Sequence, residues 1–214
     1  RWCDPCCSNY TPFLYKKVKN QSFGLMNKVD VKNLLKFKLG FKDDAIKKLV
    51  IFHDYLLEWN SKYNLVSKST ENDIWNRHIL DSAQLVKYID NFKNASISDL
   101  GSGAGLPGLI LAIYFENKPF HVKLFEKSPV KRQFLRQICK ILKLKINIYE
   151  NVYMENVSSD IIVCRAFKKL GEIIKISREI IKKSHYLIIL KGKNAQAEIN
   201  NLSLTKNYSY KLKS

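Results

Sequence analysis

The stretch best equipped for chemistry is Asp99-Leu-Gly-Ser-Gly-Ala-Gly105. Alternating glycines let a backbone turn sharply and approach a ligand closely, and a helix that follows offers its first N–H groups. Dinucleotide enzymes use G-x-G-x-x-G/A. Here the third glycine comes one residue early, Leu106 holds the position expected to be small, and Asp99 precedes Gly101 by two. Glu126 lies 25 residues beyond Gly101. A carboxylate there, at the end of a second strand, can accept both hydroxyls of a ribose. The loop and the acid together point to a cofactor with a nucleoside part.

Other chemistry-bearing residues cluster around this one. Arg165 follows a fourth strand, where doubly wound sheets make ligand contacts; a structural salt bridge is its other reading. Arg77 and His78 stand near the start of a helix leading to the loop. They can contact phosphate or a base, or serve structure, for example as an Arg77–Asp81 ion pair one turn apart. Lys127, Lys131, Arg132 and Arg136 form a basic run after Glu126, and Lys191 follows a fifth strand. Lys131, Arg132, Arg136 and Lys191 are the candidate RNA-binding residues, against a solvated face as the ordinary alternative. Tyr153 and Phe167 can stack on a base or pack a core. Cys164 near a strand end is read as a small hydrophobe rather than a nucleophile. Cys3, Cys6 and Cys7 make a C-x-x-C-C run without a second ligand pair, so no metal site is expected.

These residues need a scaffold, and the hydrophobic pattern supplies one. Helical signals begin at Val31. Asp43 or Asp44 is expected to cap a helix bearing Ile46, Leu49, Val50, His53 and Leu57, with Asn60 as its polar exit. Thr70 precedes a short second helix, and 77–89 reads as a third. Strands then follow at 96–100, 120–126, 145–149, 160–164 and 186–191, alternating with helices at 107–115, 129–142 and 169–182. Such alternation predicts an α/β fold with a doubly wound, mainly parallel sheet. Residues 1–25 lack any period and precede Met26, so they read as an upstream or disordered segment. Residues 26–94 form a helical lead and 95–214 the core, in one domain.

Charge bears on the partner. Lys and Arg number 37 against 19 acids, a net of +18 over 214 residues. Only +3 of this lies in residues 1–25. A basic surface favours polyanions through counterion release, although a Lys-, Asn- and Ile-rich composition is also what AT-rich coding produces. The apolar runs 109–115 and 186–190 are too short to cross a bilayer. The cysteine usage fits a reducing, cytoplasmic compartment.

The loop is similar to the first motif of class I methyltransferases. Around it stand Tyr63-Asn-Leu-Val66, Arg77-His-Ile-Leu-Asp-Ser82, Gly105-Leu-Pro-Gly108, Lys131-Arg-Gln-Phe-Leu-Arg136, Cys164-Arg-Ala-Phe167 and Leu190-Lys-Gly192. In this order and spacing the set resembles the bacterial 16S rRNA guanine-N7 methyltransferases, the family once called glucose-inhibited division protein B, over residues 43–210. The resemblance implies the class I fold, S-adenosylmethionine (SAM) as methyl donor, and 16S rRNA, the small ribosomal subunit or its assembly intermediate as partner of a monomer. It places Gly101, Gly103 and Leu106 in the SAM pocket, Glu126 on the ribose, Val152 and Tyr153 beside adenine, and Arg165 at the border of cofactor and substrate. The stretch 151–160 is shorter than the family's, which lets the adenine assignment slip by a residue or two. The closing C-terminal hairpin is expected to be incomplete, with 208–213 as its first strand.

Guanine N7 carries an in-plane lone pair at neutral pH, so its methylation requires positioning rather than a general base. Arg165, Arg77 and His78 are the candidate catalytic residues, with His78 not needed as a base. Two alternatives stand beside this reading: an NAD(P)-dependent oxidoreductase, which the early third glycine and Leu106 disfavour, and a non-catalytic RNA-binding protein.

Overall fold

In the computed structural model the described residues are 11–16, 27–153, 157–192, 195–201 and 211–213. Seven strands form one sheet: β1 (Thr11–Lys16), β2 (Ala95–Leu100), β3 (Phe120–Phe125), β4 (Asn147–Tyr149), β5 (Ile161–Arg165), β6 (Tyr186–Lys191) and β7 (Lys211–Lys213). Their order is β4-β3-β2-β5-β6-β1-β7, and the pairings are parallel. From β2 the chain moves outward through β3 to β4, then returns to place β5 on the other side of β2. A crevice opens where the strand order reverses, at the carboxyl ends of β2, β3 and β5.

The helices are α1 (Lys28–Leu39), α2 (Asp43–Asn60), α3 (Lys68–Glu71), a π-helical turn Trp75–Leu80, α4 (Asp81–Ala83), α5 (Val86–Ile89), α6 (Gly108–Phe115), α7 (Pro129–Ile141), α8 (Leu170–Ile180) and α9 (Ala195–Asn200). Both faces of the sheet are covered. Ile161 and Val163 of β5 belong to the core built with the lead, α6 and α7, whereas Ile162 and Cys164 belong to the core built with α8. That two-residue alternation is the strand's own side-chain period, with apolar residues on both sides because both faces are buried. The lead joins the first core through Leu49, Phe52 and Leu56 of α2 and through Ile79, so its helices pack as part of the domain.

Several expectations need revision. The first-turn carboxylates Asp43 and Asp44 do not cap α2; its N-cap is Lys42, without a side-chain hydrogen bond. They still favour the helix by facing its positive end. The helix expected over 77–89 is broken into the π-helical turn, α4 and α5. Within the stretch expected to be disordered or upstream, Thr11–Lys16 forms β1 and pairs along its whole length with β6. The cysteine run and Met26 lie outside the described residues. Of 208–213, only Lys211–Lys213 is described, and it pairs in parallel with β1, not as an arm of a hairpin. No described helix is long and apolar enough to cross a membrane.

Candidate functional site

The glycine loop leaves β2 at the crevice. Gly101, Gly103 and Gly105 adopt φ values of +72°, +56° and +85°, a left-handed region that side-chain-bearing residues rarely enter. The amides of Gly101 and Ser102 donate to the Phe125 carbonyl at 2.9 and 3.0 Å, tying the loop to the end of β3. A Cβ at Gly101 would lie 2.3 Å from Cδ2 of Phe167, so the ring covers bare backbone there. Asp99 lies beneath the loop with no exposed surface. Its Oδ2 accepts from the Gly108 amide at 2.8 Å, holding the first residue of α6, while Oδ1 has no hydrogen-bond partner among the described residues. Burial pushes the Asp99 pKa up to about 7, against the lowering effect of the Gly108 and Ser102 hydrogen bonds.

Glu126, at the end of β3, bridges two turns. Its Oε2 accepts from the Gly103 amide and its Oε1 from the Ser128 amide, each at 2.8 Å. Each carboxylate oxygen retains a further lone pair. Ser128 then caps α7, its Oγ accepting from the Lys131 amide at 3.4 Å, with Pro129 opening the helix. This is the favoured start of a helix, and it brings Lys131 to the crevice.

The crevice is a cavity of about 410 Å³. Gly101, Gly103, Leu106, Glu126, Val152, Arg165, His78 and Lys131 line it, as do Phe167 and Lys127. Leu65, Val66, Phe125 and Glu150 were not anticipated and line it too. Leu65 and Val66 come from the helical lead. The lead therefore supplies one wall of the cavity, a contact between distant parts of the chain that no local pattern reveals.

The half-buried Arg165 and the buried His78 form a pair. Nη2 of Arg165 donates to Nδ1 of His78, and Nε2 of His78 lies 2.9 Å from Oγ1 of Thr70. A guanidinium has donors only, so Nδ1 must be the acceptor and the proton sits on Nε2. In this arrangement the Nδ1 lone pair of His78 points at Arg165. It is not poised as a base. The widened π-helical turn sets its direction, a distortion common at functional sites. Nη1 of Arg165 is buried with no hydrogen-bond partner among the described residues. Burial lowers the Arg165 pKa, with Asp81 and Asp99 opposing. Ala166, next in chain, has φ +49°, a strained value for a residue with a side chain, and it directs Phe167 back over Gly101.

Other expected residues are placed elsewhere. Tyr153 is 57% exposed and donates to Glu179 at 3.1 Å; its neighbour Val152 is the one in the cavity. Arg77 pairs with Asp73 at 3.4 Å on the protein surface. Arg132 is buried: Nη1 donates to the Glu126 carbonyl at 2.9 Å and Nη2 to Glu150 at 3.0 Å. Lys191 donates to the Lys168 carbonyl at 2.9 Å and pairs with Glu198 at 2.8 Å. Both cations are engaged inside the fold. Arg136 is exposed on α7, outside the cavity. Cys164 has no exposed surface, and burial raises its thiol pKa far above the ordinary range, which leaves no thiolate to act as a nucleophile.

Residues 45–213 match the family model described as rRNA small subunit methyltransferase G. A curated protein of Orientia tsutsugamushi (strain Ikeda), named ribosomal RNA small subunit methyltransferase G, is 36% identical over 181 residues, covering 84% of this chain and 89% of that protein. A protein of the same name from Rickettsia felis (strain ATCC VR-1525 / URRWXCal2) is 43% identical over 158 residues, covering 73% and 79%. Among solved structures, the ribosomal protein L11 methylase from Lactobacillus delbrueckii subsp. bulgaricus overlaps with a TM-score of 0.49 at 13% identity, over 61% of this chain and 68% of that one.

Proposed function

Because the chain belongs to the rRNA small subunit methyltransferase G family, we propose that it transfers a methyl group from SAM to N7 of a guanine in small-subunit 16S rRNA. The observation that carries this reading is the convergence, on one cavity, of the glycine loop, the Glu126 carboxylate and the Arg165 side chain. The cavity fits a ligand with a nucleoside part and an anionic or carbonyl acceptor. Backbone is open at Gly103, the Phe167 ring lies over Gly101, and a carboxylate stands at the rim.

SAM supplies an electrophilic methyl group on a positively charged sulfur, so that a C–N bond forms at N7 while the C–S bond breaks and the positive charge passes to the purine. The protein's part is positioning. Gly101, Gly103 and Leu106 form the floor under the cofactor. Glu126 accepts the ribose hydroxyls through its remaining lone pairs, and Val152 packs against the adenine. Arg165 presents its guanidinium at the cavity wall, and His78 holds it in place. No residue removes a proton, because N7 carries none, and the lone pair of His78, pointing at Arg165, is consistent with that. Lys127 and Lys131 at the cavity, with the exposed Arg136 beyond, meet RNA phosphates. Arg132 and Lys191 support the site from within.

The enzyme works as a monomer in the cytoplasm, and lead (26–94) and core (95–214) act as one domain. The shared cavity wall supports the second statement, and the free, buried Cys139 and Cys164 accord with a reducing compartment. The deciding experiment incubates the protein with labelled SAM and either 16S rRNA or small subunits, then maps 7-methylguanosine. Label at a guanine N7 is the expected outcome. Binding of NAD but not SAM, or RNA binding without methyl transfer, would overturn the assignment.

A further inference from the structure

Asn60 is the last residue of α2 and is 93% removed from solvent, with 7% relative exposure. Its side-chain carbonyl oxygen accepts from two backbone amides, those of Leu65 and Val66, each at 2.9 Å. An amide oxygen has two lone pairs, and both are used on one loop. Between these residues the chain reverses: the Ser61 amide donates to Leu57, and those of Lys62 and Tyr63 donate to the Trp59 carbonyl. The residues so held, Leu65 and Val66, line the same cavity as Gly101 and Arg165. The loop then runs into α3, where Thr70 bonds His78, which in turn accepts from Arg165.

We propose that Asn60 is a positioning residue for the cofactor site: by fixing the Leu65 and Val66 amides it sets the lead-side wall of the cavity and, through the following loop, the Thr70–His78–Arg165 chain. The inference deepens the proposed SAM-dependent reading and rests on it. A helix-ending asparagine needs only one local acceptor bond to stop a helix. Two bonds to residues five and six positions ahead instead define a loop, and that loop faces the cavity. Asn60 touches no reacting atom; it acts through the wall.

The test compares Asn60→Leu, which keeps size but loses the acceptor, with Asn60→Asp, which keeps an oxygen able to accept both amides. In Asn60→Leu the half-buried Val66 amide loses its acceptor and the Leu65 amide keeps only the Tyr63 carbonyl at 2.6 Å, and a loop held that loosely should weaken SAM binding on the order of 10-fold by calorimetry. Asn60→Asp should stay within about 3-fold of wild type, since a carboxylate oxygen accepts both bonds. A folded Asn60→Leu protein that binds SAM as wild type does, or an Asn60→Asp protein no better than Asn60→Leu, would overturn the proposal. Should Asn60→Leu fail to fold, amide exchange in the wild-type protein decides. The Leu65 and Val66 amides should be protected without ligand and should slow further when SAM is added; rapid exchange of both in the unliganded protein would be equally fatal. Wild-type protein that does not bind SAM would instead sink the proposed function, and the unliganded exchange pattern would still report on Asn60.

Discussion

Gly101→Ala addresses the cofactor loop at its tightest point, and its cost can be divided. The backbone at Gly101 has φ +72°; an L-residue in that region costs about 1–2 kcal/mol. The added methyl also falls 2.3 Å from Cδ2, 3.0 Å from Cε2 and 3.1 Å from Cγ of Phe167, and overpacking of this kind costs about 1–3 kcal/mol. The two contributions together give about 2–5 kcal/mol. For a chain of this size each kcal/mol moves Tm by about 2–4 °C, so the unliganded variant should melt about 4–20 °C lower. SAM affinity should drop at least 100-fold, because the methyl or a displaced Phe167 ring enters the cavity. Gly101→Ala/Phe167→Ala separates the two causes: the steric part disappears and the backbone part stays, so about half of the Tm loss should persist relative to Phe167→Ala alone. The assays are thermal melting without ligand and calorimetric titration with SAM. If Gly101→Ala leaves both Tm and SAM affinity unchanged, the loop does not lie against Phe167 and the cofactor assignment fails with it.

Two more outcomes follow from the buried groups. Asp99 has its pKa raised from 3.8 to about 7 by burial. Between those values the folded protein keeps a proton that the unfolded chain has released, so unfolding becomes easier as pH rises, with no further change well above 7. Between pH 5 and pH 8 this amounts to about 3 kcal/mol. Asp99→Asn should remove it, and its Tm should therefore gain on that of wild type by about 6–12 °C over the interval; parallel melting curves would contradict the buried-acid reading. His78→Phe deletes the acceptor for Arg165 and should lower kcat/KM for methyl transfer at least 10-fold, while His78→Gln, which restores an acceptor oxygen, should recover most of it. If His78→Gln is as impaired as His78→Phe, the imidazole does more than hold Arg165.

The glycine loop was legible because its chemistry is local: three positive-φ residues between a strand and a helix need no distant partner to be recognised. The same holds for Glu126, whose place at a strand end is fixed by counting. Charged residues were less legible. Arg132 and Lys191 sit in basic stretches and read as RNA contacts, and the fold pairs them with Glu150 and Glu198. A sequence gives the sign of a charge but not which acid the fold brings beside it. Val152 and Tyr153 differ by one position, and after a three-residue strand such as β4 the direction of each side chain depends on turn geometry. β1 was hidden for a different reason. A strand added next to β6 takes its backbone partners from the sheet, so it forms without a strong period of its own.

The helical lead shows what a periodicity argument cannot deliver. Its pattern predicts helices, and helices were found, but the residues that matter for the site lie where that pattern fails. Leu65 and Val66 follow the end of α2, and His78 occupies a π-helical turn in place of a regular helix. Regular elements satisfy their own backbone bonds and tend to be interchangeable as scaffolding. An irregular segment survives only if other groups satisfy its amides, as Asn60 does for Leu65 and Val66. Such over-determined irregularity beside a cavity is the costlier arrangement. Here it joins the lead to Arg165 through Thr70 and His78.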